Sequence, residues 1–132
     1  MKLPSIYNFS TDVSIFPLLN QKDLEKIFYI SLSKRNEQTD SEYRLKKIAT
    51  QRKLPENNYH RYQKELVYYQ EKDNTITTAI RCYSDLPANL KCQHYFVYKN
   101  FIFKFGHRTK DIKNWRRLQD DLTAKIESWQ EN

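Results

Sequence analysis

Apolar residues recur along this 132-residue chain in two rhythms. Near the carboxy terminus, Ile112, Trp115, Leu118, Leu122, Ile126 and Trp129 follow one another at intervals of 3, 3, 4, 4 and 3. That spacing puts all six on one stripe of a helix of about twenty residues opening near Thr109, with both tryptophans facing the core. Just upstream the rhythm is two. Residues 92–98 and 101–108 alternate β-forming residues on either side of Lys99-Asn100, the pattern of a tight antiparallel hairpin. With a two-residue turn there, Tyr98 stands opposite Phe101, Phe96 opposite Phe103 and His94 opposite Phe105, which gives one aromatic face. The other face carries Tyr95 opposite Lys104, Val97 opposite Ile102, then Gly106 and Arg108. Thr75–Tyr83 is rich in β-branched residues and reads as a third strand, with Ile76, Thr78, Ile80 and Cys82 on one side and Arg81 on the other. Ser84–Lys91 connects it to the hairpin.

The amino-terminal half is less regular. Residues 1–19, with Pro4 and Pro17, read as a short strand or irregular arm wrapping the core. Asn20 can cap a helix over about 21–34, with Leu24, Ile27 and Phe28 on its buried side, and 35–40 forms a polar loop. Thr39-x-x-Glu42 has capping-box spacing, and Leu45, Ile48 and Ala49 give a thin apolar stripe to a second helix over about 41–53. Arg44, Lys46, Lys47, Arg52 and Lys53 cover the rest of that helix. After Leu54-Pro55, the residues Tyr59, Tyr62, Leu66 and Tyr69 fall at helical spacing and favour a helix to about 72. The competing reading makes Leu66–Glu71 a strand paired through a Lys72-Asp73-Asn74 turn. Together these elements predict one α+β domain over 1–132. Its small antiparallel sheet of three to four strands is packed by amino-terminal helices and a long carboxy-terminal helix.

Composition narrows the function classes. There is one glycine, Gly106, so no phosphate-cradling loop can be built and no nucleotide cofactor is expected. Gly106 itself suggests a bulge or a close approach at the strand end. Cys82 and Cys92 are the only cysteines, and neither belongs to a CxxC or another metal-spaced set. They read as reduced thiols. A metal site from His60, His94 and His107 with a cysteine is set aside because nothing spaces them on one element, so no metal and no cofactor is expected. No apolar run reaches membrane-spanning length and the first residues lack signal-peptide features, so a cytoplasmic protein without a membrane partner is the default.

The formal charge of +7 is concentrated: residues 34–72 sum to +4 and 99–118 to +6, while 119–132 sum to −3. Such a surface attracts a polyanion through counterion release or an acidic protein through complementary fields. Lys110, Lys113, Arg116 and Arg117 crowd the start of the last helix, against the preference of the helix dipole for acids there. The inversion points to cations that serve a partner. With Arg44, Lys46 and Lys47 they form the candidate nucleic-acid-binding set.

Metal-free RNA cleavage needs a group to activate the 2′-hydroxyl, a cation for the phosphate and a proton donor for the leaving oxygen. Lys104, His107, Arg108 and Lys110 at the strand end offer those types, with Arg81, Tyr95 and His94 in reach. Tyr95-Phe-Val-Tyr98, a short turn, Phe101-Ile-Phe103, Phe105-Gly-His-Arg108 and a following helix, preceded by Thr78-Ala-Ile-Arg81, resemble the carboxy-terminal half of RelE/ParE-type toxins. The resemblance covers about 45 residues. It implies a ribosome-dependent mRNA endoribonuclease with helices packed on an antiparallel sheet, and it places Arg81, Lys104, His107 and Arg108 as catalytic. His94-Tyr95 departs from the Tyr-Arg of the family pattern, and the amino-terminal third has no counterpart. Two functions follow as expectations. One is an RNA- or ribosome-directed protein of this toxin type, in which Lys104 and Arg108 bind phosphate and His107 is the general acid or base. The other is a non-enzymatic inhibitor or immunity-type protein that recognises an acidic protein through its basic, tyrosine-rich surface.

Overall fold

The computed structural model of the chain describes residues 13–28, 38–40, 42–53, 62–83 and 91–130. Seven strands form one antiparallel sheet: β1 (Val13–Pro17), β2 (Gln38–Asp40), β3 (Leu45–Lys53), β4 (Tyr62–Lys72), β5 (Thr75–Tyr83), β6 (Lys91–Tyr98) and β7 (Phe101–Arg108). Their order across the sheet is β1-β7-β6-β5-β4-β3-β2, so β2 to β7 form a continuous meander and β1 returns to pair with β7. A short helix α1 (Asp23–Phe28) lies between β1 and β2 in sequence. A 3₁₀ helix (Thr109–Asn114) leads from β7 into the long helix α2 (Trp115–Gln130).

This architecture corrects the expectation of three to four strands packed by amino-terminal helices. Where helices were expected over 41–53 and from Pro55 to 72, the described residues form a turn at 42–44 and the strands β3 and β4. The alternative strand through Leu66–Glu71 is the one adopted, with Asp73 and Asn74 at φ 53° and 61° in the turn between β4 and β5. That pair of left-handed residues suits the mirror-image turn whose twist matches a hairpin. The misleading signal was the three-residue spacing of Leu45 and Ile48. On a strand those side chains point to opposite faces, and here both faces are covered, so both are buried.

On one face, Ile112 and Trp115 pack on Leu45, Tyr68, Ile80 and Cys82, while Leu122 and Ile126 pack on Val13, Phe96, Phe103 and Phe105. The 3₁₀ helix and α2 therefore cross the sheet from β3 to β1. Tyr98 donates a hydrogen bond to Glu127 and ties the hairpin end to the helix. On the other face, Leu24 and Phe28 of α1 rest on Ile48, Val67, Tyr69, Ala79 and Tyr95. The start of α1 is capped as the sequence suggests. Asn20 Oδ1 accepts from the Lys22 amide at 2.8 Å, and the Asp23 carboxylate accepts from the Leu19 and Asn20 amides at 2.7 and 2.8 Å. The helix expected beyond Phe28, the arm before Val13, Tyr59 with His60, the connection 84–90 and the Trp129 side chain lie outside the described residues.

Three local expectations also change. Ile76 does not share a face with Thr78 and Ile80. A bulge between Gln70 and Glu71 shifts the β4–β5 register, and Ile76 joins the core under α1. Gly106 pairs regularly with Gln93 at negative φ, and nothing in its backbone requires glycine. Cys82 and Cys92 are not free thiols; they form a disulfide with Cα atoms 4.5 Å apart. Ten residues of separation gave no sign of this, but Arg81 pairs with Gln93, which sets Cys82 and Cys92 directly opposite on β5 and β6.

Candidate nucleic-acid interface and buried histidine pair

The sheet divides the four residues implied as catalytic. Lys104 is paired with Tyr95 and Arg108 with Lys91, and Arg81 with Gln93, all on the face under α1. Arg81 lies over the Phe28 ring at 4.6 Å, Phe28 meets Tyr95 edge to face at 5.1 Å, and Lys104 lies over Tyr95 at 5.5 Å. These cations pack on rings in a connected row, while Arg108 is exposed. His107 faces the opposite way, toward α2, and is 8% exposed. A phosphate held by Lys104 and Arg108 is separated from the His107 ring by the sheet itself.

The cations of the nucleic-acid set are also redistributed. On β3, Lys46 and Lys47 alternate: Lys46 pairs with Glu71 at 3.4 Å, and Lys47 lies over the Tyr68 ring at 5.8 Å on the α2 side. Arg44 sits in the turn before β3 with φ 56° and is exposed. A left-handed arginine is unfavourable, because its Cβ crowds the backbone where glycine, which has none, would not. Lys110, Lys113, Arg116 and Arg117 are all exposed. Residues three apart in a 3₁₀ helix eclipse one another, so Lys110 and Lys113 project together, and Lys113 neighbours Arg116 and Arg117 across the next turn.

A hydrogen bond joins these two basic segments. Trp115 Nε1 donates to the Tyr43 carbonyl at 2.7 Å, which holds the turn 42–44 against the start of α2. Around it, Tyr43 and Tyr68 meet edge to face at 5.5 Å and Arg116 lies 4.7 Å from the Trp115 ring centre. The junction thus interleaves three aromatic rings with the cations Lys47 and Arg116, and it is flanked by Arg44, Lys113 and Arg117. α2 has no acidic residue in its first turn, so the positive end of its dipole adds to the same field. The sequence showed both basic segments. What it lacked was the partner of the Trp115 indole, because a backbone carbonyl 72 residues away leaves no mark in the pattern.

Below this junction lies a second cluster that no motif announced. His94 and His107 are both buried, with His94 Nδ1 3.2 Å from His107 Nε2. His107 Nδ1 donates to the Arg108 carbonyl at 3.1 Å. His94 Nε2 lies 2.9 Å from Gln119 Oε1, which also accepts from the Thr78 hydroxyl at 3.0 Å. The His94 ring stacks on Phe105 with centroids 4.4 Å apart. Burial lowers the pKa of His94 to about 3, and the Gln119 hydrogen bond opposes the shift only in part. Burial lowers His107 as well, against the pull of the Arg108 carbonyl and of Asp111. A histidine held neutral and enclosed in this way is a poor proton donor at neutral pH.

Among the described residues, no helix is long and apolar enough to cross a membrane. No protein-family model, curated protein or solved structure matches the chain.

Proposed function

We propose that this protein binds single-stranded RNA through the cationic junction of the β2–β3 turn and the start of α2. Arg44, Lys47, Lys110, Lys113, Arg116 and Arg117 track the phosphates, and Tyr43 borders the path. The observation that supports this reading is the Trp115–Tyr43 hydrogen bond, which makes one surface of two basic segments distant in sequence. Cations resting on aromatic rings lose little further freedom on meeting a phosphate. Arg44 keeps a left-handed backbone that glycine would hold at lower cost, so its guanidinium has a use beyond the fold. Cleavage is not part of the proposal, because His107 is enclosed on the face away from Lys104, Arg81 and Arg108. A cytoplasmic setting, where RNA is available, belongs to the same proposal.

The test is fluorescence anisotropy with an unstructured oligoribonucleotide at a series of salt concentrations. Six phosphate contacts give a slope of log K against log salt of about −4, and each cation removed flattens it by about 0.7. The triple variant Arg44→Gln, Arg116→Gln, Arg117→Gln is expected to bind more weakly with a slope near −2. Absence of binding at low salt, or a slope indifferent to the triple substitution, refutes the proposal. Stoichiometric, nuclease-resistant co-purification with an acidic protein, without RNA binding, would establish the protein-partner reading instead.

A further inference from the structure

With Gln119 Oε1 turned toward His94, the two core histidines meet in a way that neutral imidazoles do not satisfy. Their outer nitrogens, His107 Nδ1 and His94 Nε2, face the Arg108 carbonyl and Gln119 Oε1, and such oxygens only accept hydrogen bonds. Both outer nitrogens therefore carry the protons. The inner nitrogens, His94 Nδ1 and His107 Nε2, are then both bare and converge across 3.2 Å. Two lone pairs at that separation are placed as two ligands of one cation. A shared proton would place a net charge where His94 is 0% exposed, an unfavourable burial. Turning the Gln119 amide over would let one ring donate to the other, and reduced protein that takes up no metal would leave that arrangement standing.

Two sulfurs lie beside the convergent pair. Cys92 is directly opposite His107 across β6 and β7, and Cys92 and His94 are two apart on β6, so they share a face. Cys82 is tied to Cys92 from the other side. Directly opposed residues have Cβ atoms about 4.5–5.5 Å apart and diagonal ones about 7–8 Å; Cys82 and His107, on either side of β6, are about 9–10 Å apart, a span the His107 side chain reaches across with Nε2, so the four side chains occupy one patch of β5–β7 beneath α2. With Zn–N bonds of about 2.05 Å, two imidazoles on a tetrahedral zinc hold their nitrogens about 3.3 Å apart, close to the separation seen here. Metal-bound histidines also characteristically donate the other N–H to a carbonyl or carboxylate, as the outer nitrogens are placed to do. In the disulfide form, no three His, Cys, Asp or Glu among the described residues make a metal-binding group. Both sulfurs are then committed to each other.

We propose that reduction of the Cys82–Cys92 disulfide creates a tetrahedral site for zinc formed by Cys82, Cys92, His94 and His107. A dithiol reductant supplies two electrons and two protons; the S–S bond breaks, two protein thiols form and the reductant becomes a disulfide. Zinc then forms two bonds to sulfur and two to nitrogen, and the two thiol protons pass to solvent. Two thiolates cancel the charge of the dication, so the filled site is neutral and compatible with its depth. Exchange with an oxidised dithiol re-forms the S–S bond and expels the ion. The core is thus tied across β5 and β6 in one redox state and across β5, β6 and β7 in the other. The inference stands on the core alone and does not depend on RNA binding.

The probes are Co²⁺ and Zn²⁺, added to protein that is either oxidised or reduced with a water-soluble phosphine, which becomes its oxide. Reduced protein is expected to take up one Co²⁺ per chain, with tetrahedral visible absorption and a sulfur-to-cobalt charge-transfer band, both abolished by Zn²⁺. Zn²⁺ is expected to shield both thiols from alkylation and to keep or restore the circular dichroism of the folded chain. Oxidised protein shows none of these signals. His107→Gln and Cys92→Ser each weaken Co²⁺ uptake by more than about tenfold. Should either variant fail to fold, the oxidised and reduced wild-type chains decide the matter. No uptake by reduced protein, a six-coordinate spectrum without sulfur charge transfer, or equal uptake in both redox states overturns the proposal.

Discussion

Acidification of the disulfide form, in the presence of a chelator, perturbs the core histidines without altering their surroundings. In the unfolded chain His94 takes up a proton near the ordinary value of about 6.5. In the folded chain it does so only near 3. Between those values the unfolded state binds more protons, so the contribution to stability is fully present above about pH 6.5 and is lost as pH falls. Each pH unit in that window is worth about 1.4 kcal/mol, so about 2 kcal/mol is lost from His94 alone by pH 5. His107 adds in the same direction, because burial lowers it too. Most carboxylates titrate below pH 5, which leaves the window from 7.5 to 5 largely to histidine. The assay is urea unfolding at half-unit pH steps over that window. In the variant His94→Gln, the loss between pH 7.5 and 5 is expected to shrink by about 2 kcal/mol, whatever the stability at pH 7.5. Wild-type stability that stays level or rises on acidification, or a variant that keeps the whole acid loss, would refute the reasoning.

Trp115→Phe removes the indole donor and leaves the Tyr43 carbonyl without it; a loss of about 1–2 kcal/mol in urea unfolding and weaker RNA binding are expected together. Arg44→Gly relieves a left-handed arginine, so it is expected to raise stability by about 1 kcal/mol while lowering RNA affinity in the anisotropy assay. Leu122→Ala and Ile126→Ala each open a void between α2 and the sheet and are expected to cost about 2–5 kcal/mol by chemical denaturation. Leu118→Ala, at a half-buried position, is expected to cost less.

The parts of the fold legible in the sequence are those whose side chains obey one rhythm. The helical stripe of Ile112, Trp115, Leu122 and Ile126 lies against the sheet, although the first six residues are 3₁₀ and α2 itself opens at Trp115. The hairpin around Lys99-Asn100 has the expected partners, Tyr98 with Phe101 and His94 with Phe105. What was not legible depends on both faces of the sheet being covered. Leu45 and Ile48 look helical because each is buried by a different helix, and Val67, Tyr68 and Tyr69 are all buried because both faces of the sheet are covered at those positions of β4. The basic residues of the candidate interface were visible as charge, but their grouping rests on the Trp115–Tyr43 bond and the alternation that parts Lys46 from Lys47. The disulfide and the histidine pair needed the strand register, which no spacing within one element reports.

The proposed RNA contact is tested most directly by mapping where an oligonucleotide lies on the protein. Backbone amide resonances followed during titration with single-stranded RNA are expected to shift most at residues 42–47 and 108–117, with little change along β1 and in α1. Shifts concentrated on the face under α1, around Arg81 and Lys104, or spread evenly without saturation, would contradict the account.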